Sequence, residues 1–174
     1  MTLDEFDTLT TRLAGEVRFL YFHLMGEPFL HPLLPEFIVM ARRKGFTPII
    51  TTNGTLLAQR GDLLDTLPHK LQISLHSHEG NGKDNPEQYI DEVMSFAKEA
   101  ALRGCIVVLR LWNEGGLNRM NGSILDMIAD RQPRPWTQRH DGWKLTENLY
   151  VESDDMFEWP DIQHDVYKEE EVFC

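Results

Sequence analysis

Several polar residues interrupt otherwise apolar runs in this 174-residue chain, and they fall toward the C-terminal ends of those runs. In FLYFHLMGEP, His23 stands near the end, and Gly26, Glu27 and Pro28 form the turn that follows. In LQISLHS, side chains alternate, so Leu71, Ile73 and Leu75 share one face and Gln72, Ser74 and His76 the other. In IVVLRLWN, Arg110 shares a face with Ile106, Val108 and Trp112, and Asn113 comes at the exit. A polar side chain in so apolar a strand must be satisfied. For Ser74 or His23 alone the simplest partner is backbone. Glu27, Ser74 and Arg110 converging on one rim instead make a ligand site. An Arg in a strand calls for an anion, either a ligand carboxylate or Glu27.

The elements that must position these residues follow a regular rhythm. Thr2 and Glu5 form a capping box for a helix carrying Leu3, Phe6, Leu9 and Leu13 and ending at Gly15. Arg18 to Leu24 reads as a buried, central strand with the Gly26-Glu27 turn at its C-terminal end. A second helix opens at Pro32 or Pro35, carries Phe37, Ile38 and Ala41, and closes at Gly45 after three basic residues. Thr47 to Thr51 is the next strand, with Asn53-Gly54 as its turn, and Leu56 to Leu67 reads as a Leu-rich helix stopped by Pro68. Leu71 to Leu75 is a strand. The helix after it is capped by Asn85, starts at Pro86 and ends before Gly104, burying Tyr89, Ile90, Val93, Phe96, Ala97 and Ala100. Cys105 to Leu111 is another strand, followed by a short helix around Ser123 to Asp130 and a last strand at Asn148 to Glu152. Strands separated by helices in this way predict an α/β fold with a parallel sheet. A doubly wound sheet and a (β/α) barrel both fit, and polar residues gathered at strand C-terminal ends favour a partial, TIM-like (β/α) barrel with helices outside.

Composition removes several function classes. Lys and Arg number 17 against 28 Asp and Glu, a net charge of −11. Ten of the acidic groups lie between residues 147 and 171 with only Lys168 opposing them. So acidic a chain is not expected to bind nucleic acid, which needs clustered Lys and Arg. No run approaches the ~18 apolar residues of a membrane span, and the N-terminus lacks the basic start and apolar segment of a secretory signal. Cytoplasmic placement is the default expectation. Cys105 and Cys174 are the only cysteines, too few for a disulfide framework or a Cys-rich metal site.

LYFHLMGEPFLHP, IITTNGTLL and QISLHS, in this order and spacing, resemble strands two to four of the radical S-adenosylmethionine (SAM) enzymes, of the type that continues into a SPASM domain. The resemblance covers residues 1 to 130. It implies an iron–sulfur oxidoreductase in which SAM is reductively cleaved to a 5′-deoxyadenosyl radical that abstracts hydrogen from a small-molecule or peptide substrate. It implies that Met25-Gly26-Glu27-Pro28 receives the SAM ammonium, a carboxylate being its natural partner. By the same likeness Ser74 meets the SAM ribose or carboxylate, Arg110 pairs with the carboxylate, and Asn53 and Asn113 face the same rim. The family's CxxxCxxC loop, whose three thiolates hold a 4Fe-4S cluster, has no counterpart here.

The organisation expected is thus a barrel core over residues 1–131 and an irregular acidic segment over 132–174, leading toward a further domain. The chain reads as the central part of a longer enzyme, inactive alone and prone to self-association through an open barrel edge. Two other readings stand beside this one: a metal-dependent barrel hydrolase or isomerase using His23, Glu27, His31, His76 or His78, and a non-catalytic binding remnant.

Overall fold

The computed structural model describes residues 1–23, 26–75, 85–114 and 119–155. Its elements are α1 (Leu3–Leu13), β1 (Phe19–Phe22), α2 (Leu34–Arg43), β2 (Thr47–Thr52), β3 (Lys70–Ser74), α3 (Pro86–Leu102), β4 (Ile106–Glu114), α4 (Asn121–Arg131), β5 (Thr137–Arg139), β6 (Gly142–Thr146) and β7 (Leu149–Asp155). The local signals act as expected at the helix starts. Thr2 Oγ1 accepts from the Glu5 amide at 3.2 Å while Glu5 Oε2 accepts from the Thr2 amide at 2.7 Å, and Asn85 Oδ1 accepts from the Gln88 amide at 3.2 Å.

The seven strands form one sheet in the order β1-β2-β3-β4-β7-β6-β5. The first five in that order run parallel, and β5 and β6 add an antiparallel hairpin against β7. The sheet is open, with β1 and β5 as its two ends. All four helices cover the same face. Leu34 and Ile38 of α2, the apolar stripe of α3, and Ile124 and Ile128 of α4 enclose Ile50, Leu71, Ile73, Val107, Leu109, Leu111, Leu149 and Val151. Phe6 of α1 stacks on Phe37 at 4.4 Å and on Phe22 at 6.0 Å, closing a smaller cluster with Ala41 and Phe46. One-sided coverage is the layering of a β/α barrel wall and decides against a doubly wound sheet.

Three expectations are corrected. Leu56 to Leu67 is not one helix but two 3₁₀ turns, Leu57–Gln59 and Gly61–Asp65. Leu57 and Leu63 are both 1% exposed, yet six helical residues would rotate them roughly 120° apart. Arg60, at the break, bonds the Phe29 and His31 carbonyls at 2.5 and 3.2 Å, so it ties the segment to the Gly26–His31 loop. Second, the strand leading to Gly26-Glu27 is the sheet's edge and not a central strand. Third, residues 137–146, expected to be irregular, form β5 and β6, held by Trp136 edge-on against Trp143 at 6.2 Å.

Candidate functional site

Glu27 sits at the start of the turn after β1 and acts as a bracket between two loops. Its Oε1 accepts from the Phe29 amide at 3.0 Å and from the Thr52 hydroxyl at 2.7 Å, and its Oε2 accepts from the Asn53 amide at 2.8 Å. Thr52 Oγ1 in turn accepts from the Gly54 amide at 3.1 Å, and Asn53 Oδ1 accepts from the Thr55 amide and hydroxyl at 2.9 and 2.7 Å. From the helix layer, the Tyr89 hydroxyl donates to the Asn53 carbonyl at 2.8 Å. Burial, with the nearby Glu27 charge second, pushes that phenol far above its ordinary range, so it stays a donor. Gly54 has φ +75°, and a Cβ there would lie 2.9 Å from Ile73 Cγ2 and 3.0 Å from Tyr89 Oη, so only glycine permits this close approach. Gly26 adopts φ +83°, the left-handed turn that swings Glu27 back toward β2.

The sheet register decides which strand residues face one another. Ser74 on β3 pairs with Arg110 on β4, and Arg110 pairs with Glu152 on β7. Partners in register share a face, so all three lie on the face the helices leave uncovered. One row nearer the strand starts, Thr51, Gln72, Val108 and Tyr150 share that face, and the Thr51 hydroxyl donates to Gln72 Oε1 at 3.0 Å. The Arg110 guanidinium carbon lies over the Trp112 ring, 3.0 Å from its centroid. Burial pulls the Arg110 pKa down to about 10, against the upward pull of Glu152 and Asp154; the group remains a cation at neutral pH.

Ser74, Arg110, Glu27 and Asn53 therefore lie at C-terminal ends of neighbouring strands, as the alternation implies. The anion facing Arg110 is not Glu27, whose oxygens are engaged with Phe29, Thr52 and Asn53. Pro28 opens the 3₁₀ turn Pro28–Leu30. Asn113 departs from expectation. It shares the helix-side face with Leu109 and Leu111, and it exchanges side-chain hydrogen bonds with Asn121 at 3.1 and 2.8 Å, fastening α4 to β4. His31 Nδ1 accepts from the Leu33 amide at 3.2 Å and its ring lies 4.8 Å from Phe37, so it serves as a turn cap. His23 is exposed beside Tyr21. Met25, His76 and His78 lie outside the described residues, among which no group of three His, Cys, Asp or Glu side chains could hold a metal ion.

Thr52, Tyr89, Trp112 and Glu152 were not singled out by sequence reasoning. Thr52 had a usable signal, a hydroxyl directly before an Asn-Gly turn. Glu152 becomes visible only through the register of β7 beside β4.

The fold is a mostly parallel α/β sheet covered by helices on one face, and the site lies at the C-terminal rim of its parallel strands. No protein-family model matches the chain. Among solved structures, archaeal TYW1 aligns with TM-score 0.48 and 20% identity over 74% of this chain and 50% of that one. TYW1 with a lysine-pyruvate adduct bound aligns with TM-score 0.47 and 21% identity over 72% and 48%. An O-GlcNAc hydrolase mutant from Thermobaculum terrenum gives TM-score 0.37 and 13% identity over 87% and 37%. The chain spans about half the length of the two TYW1 structures.

Proposed function

We propose that this chain is the SAM-binding part of a radical SAM enzyme. The observation that carries the reading is the coincidence of motif and geometry: two of the segments that resemble the family, GEP and TNG, are joined by the Glu27 bracket on one rim, and Ser74, which opens the third, is in register with Arg110 on the face the helices leave uncovered. SAM suits these groups. Arg110 is a cation held in place by Trp112 for a carboxylate, Ser74 offers a hydroxyl next to it, and the Gly26-Glu27-Pro28 turn with Asn53 closes the rim. In such enzymes bound SAM supplies the radical that takes a hydrogen atom from the substrate, here a small molecule or a peptide.

The 4Fe-4S cluster does not fit this chain's own residues. Three thiolates are needed and the chain has two cysteines. Cys105 is 2% exposed, and burial pushes its thiol up to about 12. What these residues do is therefore bind and orient: Arg110 fixes one end of the ligand, and the bracket keeps the Gly26 and Gly54 turns at a fixed separation. Calorimetric titration with SAM tests the reading. Arg110→Gln is expected to weaken SAM binding by about tenfold or more, the size of a lost charge-assisted hydrogen bond. Equal affinity in the two proteins, or no SAM binding by the chain, overturns it. Reconstitution with iron and sulfide is expected to yield no 5′-deoxyadenosine from these 174 residues alone.

A further inference from the structure

Glu152 is half-buried, and its carboxylate makes no hydrogen bond or ion pair among the described residues. Its two neighbours in register explain why. Arg110, on one side, is laid over Trp112. Gly142, on the other side, has no side chain. The gap at Gly142 is obligatory, because a Cβ there would come 2.0 Å from the Val151 carbonyl oxygen, and the residue adopts φ +150°. Beyond it, in register on β5, stands Arg139, exposed and likewise without an ion pair among the described residues.

The result is a slot of about 310 Å³ lined by Gly142, by Glu152 and Tyr150 of β7, and by Arg139 with the His140-Asp141 turn. A carboxylate and a guanidinium thus stand one strand to either side of an empty position. Their backbones are two strand spacings apart, roughly 10 Å, and both residues line the slot. Neither has an ion pair among the described residues, although Glu152 is also drawn toward the Arg110 charge on the adjacent strand. The other cation of the hairpin, Lys144, is engaged by Glu147 at 3.1 Å. A metal ion is a poor occupant, since the described residues hold no group of three metal ligands. An organic molecule with one charge of each sign matches the slot.

We propose that the slot binds a small zwitterion of the amino-acid class, with its ammonium against Glu152 and its carboxylate against Arg139. The proposal goes beyond the SAM reading and shares with the candidate site only Glu152, the register partner of Arg110. The ligand would lie on the same face as Arg110, its ammonium end at Glu152 one strand away and its centre at Gly142 two strands away.

The test is an NMR titration of the chain without SAM, using L-phenylalanine, glycine, N-acetyl-L-phenylalanine and L-phenylalanine methyl ester as probes. Saturable shifts at the Gly142 and Trp143 amides are expected with the free amino acids. Blocking either end is expected to weaken binding by about tenfold, one charge-assisted hydrogen bond in each case. Glu152→Gln should abolish the discrimination against the N-acetyl compound alone, and Arg139→Gln that against the methyl ester alone. The comparison of probes on the unaltered protein stands even if a variant folds poorly. Absence of saturable shifts with both amino acids at millimolar concentration, or equal binding of phenylalanine and its two blocked forms, overturns the proposal.

Discussion

Replacing Glu27 by Gln separates a bracket from a ligand contact. The side chain keeps its shape, but one of its two oxygens becomes an NH₂ donor. If the amide oxygen takes the place of Oε1, it still accepts from the Phe29 amide and the Thr52 hydroxyl, and the NH₂ then meets the Asn53 amide donor to donor. If the amide is flipped, the Thr52 hydroxyl can rotate to accept, but the Phe29 amide loses its partner. Either way at least one backbone N–H in a half-buried site is left unpaired, which costs about 1–3 kcal/mol. For a chain of this size that corresponds to a fall in Tm of roughly 2–12 °C. Thermal and urea unfolding followed by circular dichroism measure it. Thr52→Val, which removes a donor while leaving Glu27 intact, should also destabilise, by about 1.5–3 kcal/mol for a hydrogen bond to a charged group. A Glu27→Gln protein as stable as the parent but no longer binding SAM would refute the bracket and restore the carboxylate as the direct partner of an ammonium.

Gly54→Ala should destabilise by more than about 1 kcal/mol, because it combines a positive φ with a Cβ 2.9 Å from Ile73 Cγ2; urea unfolding reads this directly. Cys105 should resist thiol reagents at neutral pH until the chain unfolds, as peptide mapping after labelling would show. Its pKa rises from 9.0 to about 12 on folding, so the stability linked to it is complete below pH 9 and is lost as pH climbs toward 12; Tyr89, also raised, adds to the same alkaline fall. Unfolding that is flat across that interval would contradict the assignment. The free edge of β1 carries Phe19 and Tyr21 at 45% and 54% exposure, so concentration-dependent association is expected in sedimentation experiments, relieved by Tyr21→Lys.

The fold was legible where local rules act alone. A capping box, proline at a helix start, and β-branched or aromatic runs placed α1, α3 and the starts of the parallel strands within a residue, while β4 and β7 each run three residues past their expected ends. The Leu56–Leu67 segment was misread because leucine content favours a helix, whereas the pattern of contacts is set by Arg60 reaching the Phe29 carbonyl, more than thirty residues upstream, a tertiary demand that propensity does not encode. The hairpin β5–β6 was missed for a related reason: its strands are short, Thr137–Arg139 is wholly exposed, and the stabilising contact is one tryptophan pair. In the site, alternation along each strand put Ser74 and Arg110 on the same face, but it could not say which residue of β7 joins them. Asn113 shows the converse. Its own parity, with Leu109 and Leu111, already pointed to the helix side, and proximity to the rim was mistaken for membership of it.

Parallel sheets are ordinarily covered on both faces, and their strands then read as apolar throughout. In this sheet the helix-side positions obey that rule, from Ile50 and Leu71 to Leu109 and Val151. The other face obeys it only in part. Ile49 and Val108 are buried there, yet toward the C-terminal ends the same face presents Thr51, Gln72, Ser74, Arg110 and Glu152. A surface meant for solvent would not need Thr51 to hold Gln72, or Trp112 to hold Arg110, in a single orientation. A surface meant for a protein layer would not place a half-buried carboxylate at Glu152, without an ion pair among the described residues, beside an obligatory glycine. Fixed polar groups on a face that the described helices leave open, graded from apolar at the strand middles to charged at the rim, are what a polar ligand with a charged end requires. The position of that rim follows from the parallel strand direction alone.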